Sequence, residues 1–435
     1  MVDLEGGRRI SVGLMGLGTV GSGVARILAE KKESITRQVG CPVEIKKVLV
    51  QHPDKPRATV MSPERMTCDV RDILQDPEIA IVIELIGGEE PAHRYIQEAL
   101  AHGKHVITAN KEVIAKHGIE LLELARKHKA AIHYEASVGG GIPLIAPFRQ
   151  SLLANDISTL YAIINGTTNY ILTQMARTHV DLAQALREAQ DLGYAEPDPT
   201  SDVSGTDAAY KLAILSSLAF HTHVAPDQVY REGITKLTAR DFRYAGELGY
   251  AIKLLAIAKR EEQGIQVRVH PALIPEDHIL AKVDGVFNAV EVEGDLTGRI
   301  MFYGRGAGSL PTTSAVVADL IELAREVYRG AEPSFDGYSL SVLPVLPMAE
   351  VKTRYYLRMS VRDQPGVLAQ IARILGDAQI SIASVIQKEL DETAQAAEIV
   401  LMTHLASEKA MQHALGELGG LPVVAEIGTL IRVEG

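Results

Sequence analysis

The chain has 435 residues, 46% hydrophobic and 23% charged, which is too long for one core and apolar enough to bury several. Its formal net charge of -11 comes without a block of like charges, which argues against nucleic acid or an anionic membrane as a partner. No apolar run approaches the roughly 18 residues of a membrane span. The opening MVDLEGGRRISVGLMG has no secretory hydrophobic region. The two cysteines, Cys41 and Cys68, are too few for a disulfide framework, so a cytoplasmic protein is expected.

Residues 8–134 alternate apolar runs with helical patterns. Arg9–Leu14, Val43–Val50, Ala80–Ile86, His105–Thr108 and Ala130–Tyr134 read as strands, and Val20–Lys31, His93–His102 and Ile119–Lys127 as helices. Strands separated by helices imply an α/β domain with a doubly wound, Rossmann-like parallel sheet. The character changes at the glycine-rich Glu135–Ile145, which opens a region running to 308. That region carries a strand at Leu160–Asn165, helices from Thr168 and over Asp181–Leu192, and a polar loop at 193–205. A long helix over Thr206–Ala219 and alternating strands near 265–274 and 286–293 follow. It is expected to be an α+β substrate or dimerisation domain. Ser309–Tyr328 reads as one more helix, packing back on the first domain. Residues 331–350 bear prolines and no periodicity, as a linker does. The segment 351–435 runs strand, helix, strand, strand, helix, strand, a ferredoxin-like βαββαβ order. The expected domains are therefore 1–134, 135–308 and 351–435.

The first motif is Gly16-x-Gly18-x-x-Gly21, directly after a strand and opening a helix, with Thr19 and Val20 between its second and third glycines. Gly16 permits the tight turn, Gly18 lets a pyrophosphate approach the backbone, and Gly21 lets helix and strand pack closely. The helix N-terminus offers free N–H groups to the phosphates. This context predicts dinucleotide binding. The choice between NAD and NADP stays open. No acid ends the second strand at Gln51; Lys55 and Arg57 could meet a 2′-phosphate, while Asp54 keeps NAD in play.

The densest polar stretch runs from Glu196 through Asp202 and Asp207 to Lys211 and leads into an apolar helix. Asp207 and Lys211 share one helix face. A helix N-terminus decorated with acids explains the carboxylates but not a lysine on a face that looks buried. A buried ammonium needs partners, so carboxylates are expected around Lys211, with charge to spare for a substrate amine. A second candidate is Lys111, just past the end of the His105–Thr108 strand, where parallel sheets bind ligands. A cation opening a helix opposes the dipole, which hints at function beside the alternative of an ordinary surface lysine.

Taken in order, GLGTVG, ELIGG, TANK, EASVGGGIP, INGTTNYIL, LGYAEPDPTSDVSGTDAAYK and YGRGAGSLPTTSAVVAD resemble the homoserine dehydrogenase family. RDQPGVLAQIARIL resembles an ACT domain, an amino-acid-sensing module. The resemblance implies NADP- or NAD-dependent reduction of L-aspartate 4-semialdehyde to L-homoserine, a step towards threonine and methionine, with NADP slightly favoured. It implies Lys211 as proton donor and Lys111 as a second active-site lysine, close to the cofactor. By the same resemblance Glu196 and Asp207 bind the amino acid, Asp202 lies near the reacting end, and Gly193 and Gly308 lie near the nicotinamide. Main-chain carbonyls of Glu135, Val138, Gly140 and Ile142 would hold a sodium ion. Many relatives carry an arginine where this chain has Gln51, which loosens any inherited cofactor preference. In the tail, Asp363 and Gly366 mark the expected regulatory site, with threonine as effector, and a homodimer or homotetramer is implied. Removal of 351–435 would then leave an active, insensitive enzyme.

Overall fold

The computed structural model describes residues 9–53, 61–331, 343–391 and 396–435. In chain order these form β1 (Ile10–Met15), α1 (Thr19–Glu30), α2 (Lys32–Val39), β2 (Val43–Leu49), β3 (Met66–Thr67), α3 (Arg71–Leu74), β4 (Ile79–Glu84), α4 (Ala92–Ala101), β5 (His105–Thr108), α5 (Lys111–Lys127) and β6 (Ile132–His133). There follow β7 (Ile157–Ile163), α6 (Gly166–Thr178), α7 (Leu182–Asp191), α8 (Thr200–Val203), α9 (Thr206–Ala219), β8 (Tyr230–Arg231), α10 (Ala239–Glu247), β9 (Tyr250–Glu261), β10 (Gly264–Pro275), β11 (Phe287–Gly294), β12 (Gly298–Arg305) and α11 (Ser309–Arg329). The last part holds β13 (Lys352–Arg362), α12 (Val367–Asp377), β14 (Ile382–Asp391), β15 (Ala396–Thr403), β16 (Ala406–Ser407), α13 (Glu408–Gly419) and β17 (Val424–Val433). Two compact units emerge. One holds Met1–Asp156, Ala213–Pro226 and Phe302–Val342; the other holds Ile157–Leu212, Asp227–Met301 and Leu343–Gly435. The chain passes between them inside α9 and inside β12.

In the first unit, β1 to β6 form a parallel sheet of order β3-β2-β1-β4-β5-β6. The order reverses between β1 and β4, and ligands bind at such a switch point beyond the strand ends. The strands are buried on both faces, as parallel sheets require: Val12, Leu14, Ile81 and Ile83 are all fully enclosed. Helix α11 packs on α1 and α2, and its Val316, Leu320 and Leu323 join the core of β1 and β2. A side chain at Gly23 would strike Thr313 of α11, so glycine there permits the close helix approach. Helix α5 starts at Lys111, two turns before the pattern at Ile119 announced it. Asn110 caps it by accepting from the Val113 N–H at 3.2 Å, while the interrupting Gly118 disguised the first turns.

In the second unit, one mixed sheet follows the path β12-β11-β7-β9-β10-β17-β13-β15-β14. Its last four strands, with α12 and α13 over Tyr355, Leu357, Ile371 and Met411, make the ferredoxin-like βαββαβ. This part is not insulated by a linker from the strands before it. β17 pairs in parallel with β10 at Ala272↔Arg432 and Leu273↔Val433. Residues 332–342, most of the expected linker, lie outside the described residues. Buried ion pairs reinforce the seam. Glu434 accepts from Arg268 at 2.6 Å and from Lys259 at 2.9 Å, and Arg358 donates to Asp241 at 2.7 Å. Cys41 is buried and Cys68 exposed, and neither is in a disulfide. Among the described residues, no helix is long and apolar enough to cross a membrane.

Candidate active site

The glycine turn sits at the switch point. The Gly16 N–H bonds the Leu49 carbonyl at 3.0 Å, and the Leu85 N–H bonds Met15 at 2.8 Å, so the turn closes the ends of β2, β1 and β4. Gly16 has φ of 97°, a left-handed conformation that glycine adopts without strain. A Cβ at Gly21 would strike the Gly16 carbonyl oxygen, whereas a Cβ at Gly18 would meet nothing within 4 Å. Gly21 thus serves the packing, and Gly18 leaves open space where a pyrophosphate could approach. No acid occupies the first turn of α1, and no side chain caps it. Its first amides therefore stay available, with Thr19 and Val20 opening the helix. Gly308 caps α11 nearby: Ser309 Oγ donates to the Thr19 carbonyl at 3.3 Å. These features fit a dinucleotide. Asp54, Lys55 and Arg57 lie outside the described residues, and Gln51 is exposed.

Beyond β4 and β5, a buried network holds the start of α5. Glu84 is fully buried and accepts from Thr108 Oγ1 at 2.6 Å and from the Ile86 N–H at 2.7 Å. Thr108 Oγ1 in turn accepts from the Asn110 N–H at 3.0 Å, and Asn110 Nδ2 donates to the Gly88 carbonyl at 2.7 Å. Burial pushes the Glu84 carboxyl up from its ordinary range. Half-buried Lys111 follows directly as the first residue of α5. Lys111 is marked in the sequence by its place after the strand, whereas the only sequence signal for Glu84 is that an acid ends an otherwise apolar strand.

In the second unit, α9 carries Asp207 and Lys211 on one face. Lys211 Nζ donates to Asp207 Oδ2 at 2.7 Å and to the Ile164 carbonyl at 2.9 Å, with its side chain only 12% exposed. Asn165 joins the two acids: its Nδ2 donates to Asp202 Oδ1 at 2.6 Å and to Asp207 Oδ2 at 2.9 Å. Its Oδ1 accepts from the Thr168 N–H at 2.8 Å, capping α6. The ammonium therefore meets one carboxylate directly, and Asp202 is tied in through Asn165. Glu196 is exposed, and among the described residues no hydrogen bond or ion pair ties its carboxylate to this cluster. Its loop is held instead by Gln190, whose Nε2 donates to the Glu196 carbonyl at 3.1 Å. Gly193, with φ of 74°, is exposed at the head of that loop. Asn165 was missed because its role depends on partners 37 and 42 residues away.

The loop after β6 is buried at Glu135, Val138, Gly140 and Ile142. The Glu135 carboxylate is consumed by the N–H groups of Leu144, Ile145 and Ala146, at 2.6 to 2.9 Å. The carbonyls of Val138 and Gly140 accept no hydrogen bond from another described residue. Buried carbonyls without partners are costly, and hard oxygens of this kind fit a monovalent cation. In the ferredoxin-like part, Gly366 has φ of 88° and caps α12. A cavity of about 360 Å³ beside it is lined by Asp363, Gly366, Gln387 and their neighbours.

Comparison with known proteins agrees with these features. Residues 16–135 match the family model "Homoserine dehydrogenase, NAD binding domain", 143–321 match "Homoserine dehydrogenase", and 355–423 match "ACT domain". The homoserine dehydrogenase of Pseudomonas aeruginosa is 44% identical over 98% of this chain and 99% of its own length. The crystal structure of a homoserine dehydrogenase from Thiobacillus denitrificans superposes with a TM-score of 0.93, at 46% identity and 98% coverage of both chains. A hyperthermophilic archaeal homoserine dehydrogenase in complex with NADPH gives 0.61, at 27% identity, over 73% of this chain and 98% of its own.

Proposed function

The chain belongs to the homoserine dehydrogenase family of oxidoreductases, and from that premise we propose that it interconverts L-aspartate 4-semialdehyde and L-homoserine with NADP or NAD. The observation that carries the reading is the enclosed Lys211 ammonium, hydrogen-bonded to Asp207 and the Ile164 carbonyl. When bound, the dinucleotide supplies the hydride. Gly18, Thr19 and Val20 would hold its pyrophosphate on the turn that Gly16 and Gly21 make possible, and Gly193, Gly308 and Lys111 would attend the nicotinamide end. As the carbonyl oxygen gains negative charge, the Lys211 ammonium, held until then by Asp207 and the Ile164 carbonyl, gives it a proton and becomes the neutral amine. In the reverse direction the neutral amine accepts the alcohol proton. Asn165 keeps Asp202 and Asp207 aimed at the reacting end. Glu196 and Asp207 take the substrate ammonium.

NADP is slightly favoured over NAD; the archaeal relative's complex supports it. A sodium ion at the carbonyls of Glu135, Val138, Gly140 and Ile142 would order the loop after β6. Threonine at the cavity beside Asp363 and Gly366 would lower activity, as an acidic effector group suits a helix N-terminus. A cytoplasmic homodimer or homotetramer completes the reading, within the division into 1–134, 135–308 and 351–435. The test is aspartate semialdehyde reduction by the purified chain, with NADH and NADPH separately and with added threonine. The reading expects turnover with at least one nucleotide and a fall with millimolar threonine. No turnover with either nucleotide would refute the dehydrogenase reading, and indifference to threonine would refute the effector.

A further inference from the structure

On the first unit, the end of β6 faces one side of α11. His133 is 93% buried on its side chain, and its Nδ1 lies 3.9 Å from Asp319 Oδ1 and 3.9 Å from Glu322 Oε2. Those distances are too long for hydrogen bonds, and no other described residue bonds the ring. Asp319 and Glu322 lie three apart on α11, one above the other on a single face. Each has its far oxygen already fixed. Asp319 Oδ2 accepts from the Glu135 N–H at 3.0 Å, and Glu322 Oε1 accepts from Gln150 Nε2 at 3.1 Å. The remaining oxygens, Oδ1 and Oε2, are the ones turned towards the imidazole. All three ligand atoms lie within 4.8 Å of one another, and they border a cavity of about 270 Å³.

We infer that His133 Nδ1, Asp319 Oδ1 and Glu322 Oε2 form a binding site for a divalent transition-metal ion of the zinc class. A nitrogen with two carboxylate oxygens is a zinc-type ligand set, whereas magnesium and calcium prefer oxygen alone. Ligand atoms around tetrahedral zinc stand about 3.3 Å apart, so side-chain rotation would bring each carboxylate roughly 0.6 Å closer to the imidazole and would close the carboxylate pair, now within 4.8 Å, by at most about 1.5 Å. The cavity leaves a fourth position for water. Hydrogen bonds from Glu135 and Gln150 orient the two carboxylates, as outer-shell partners do at metal sites. The charge balance favours a cation: Glu135, Asp319, Glu322 and Glu326 border the cavity against the single guanidinium of Arg149. The site uses side-chain atoms, whereas the sodium loop uses main-chain carbonyls; the two share only Glu135, whose N–H orients Asp319, and the zinc site does not depend on the catalytic reading.

The test is calorimetric titration of the untagged, full-length protein with zinc(II), in choline chloride so that the sodium loop is not engaged. Glu322→Gln and Asp319→Asn are titrated alongside. Glu322 has a 43% exposed side chain, so its substitution should not threaten folding. His117→Ala removes the other His-rich cluster among the described residues, His93, His117 and Glu120. The inference expects one equivalent bound by the native chain and by His117→Ala, with affinity at least tenfold weaker in both α11 variants. No binding by the native chain overturns it. So does affinity that survives Glu322→Gln, or that disappears in His117→Ala.

Discussion

At the scale of single residues, the account turns on Lys211, Asp207 and Asn165. Lys211→Ala should lower turnover by about 10²- to 10⁴-fold, the worth of a positioned general acid, and leave dinucleotide affinity unchanged. Asn165→Ala separates positioning from stability. It removes the α6 cap, worth about 1 kcal/mol, and it also releases both acids. Displacement of the reacting groups should cut kcat by about 10²-fold, measured well below the melting temperature. A lower melting temperature with normal kcat would show that Asn165 is only a cap. Much of this site was legible from residue types: the Asp207 and Lys211 spacing fixes a shared face, and the apolar turns after it imply burial. Glu196 shows where such reading stops. Proximity along the chain made it look like a third partner, but Gln190 and the turn at Gly193 hold its loop by the backbone, with the carboxylate outward.

At the scale of elements, the glycine turn yields a paired prediction. Gly18→Ala places a methyl group in open space, so the melting temperature should hold while the KM for the dinucleotide rises at least tenfold. Gly21→Ala drives a methyl group into the Gly16 carbonyl and should destabilise by about 1–3 kcal/mol, the usual scale of overpacking. Equal melting temperatures for the two variants would contradict this division of labour, and thermal denaturation measures it. The strand–turn–helix of β1 and α1 was readable because each glycine has a local reason. The start of α5 was not, because its cap at Asn110 is tied to the Glu84 and Thr108 network. Nor was the pairing of β10 with β17, since nothing in either strand names a partner about 160 residues away.

At the scale of the molecule, that pairing alters what truncation would do. Removing 351–435 would expose an edge of β10 and strip Arg268, only 2% exposed on its side chain, of Glu434. The resulting loss of stability would mask any loss of regulation, so substitution at Gly366 is the better probe of the proposed threonine site. The seam also predicts an acid response. Burial by itself would raise the Glu434 carboxyl, but Arg268 and Lys259 outweigh it and hold the pKa down to about 2. A depressed carboxylate contributes stability in full above its unfolded pKa of about 4.3, and that contribution is lost as pH falls through about 2. Glu434→Gln should therefore cost on the order of 3 kcal/mol at neutral pH and flatten the acid limb of a stability–pH curve. A parallel curve, merely shifted, would contradict the assignment. The central claim, that the ammonium on α9 protonates the nascent alkoxide of homoserine, is tested most directly on Lys211→Ala. Aspartate semialdehyde reduction and dinucleotide binding are to be measured on the same sample. The account predicts native-like binding with turnover down by at least about 10²-fold; turnover within a few-fold of the native rate would contradict it.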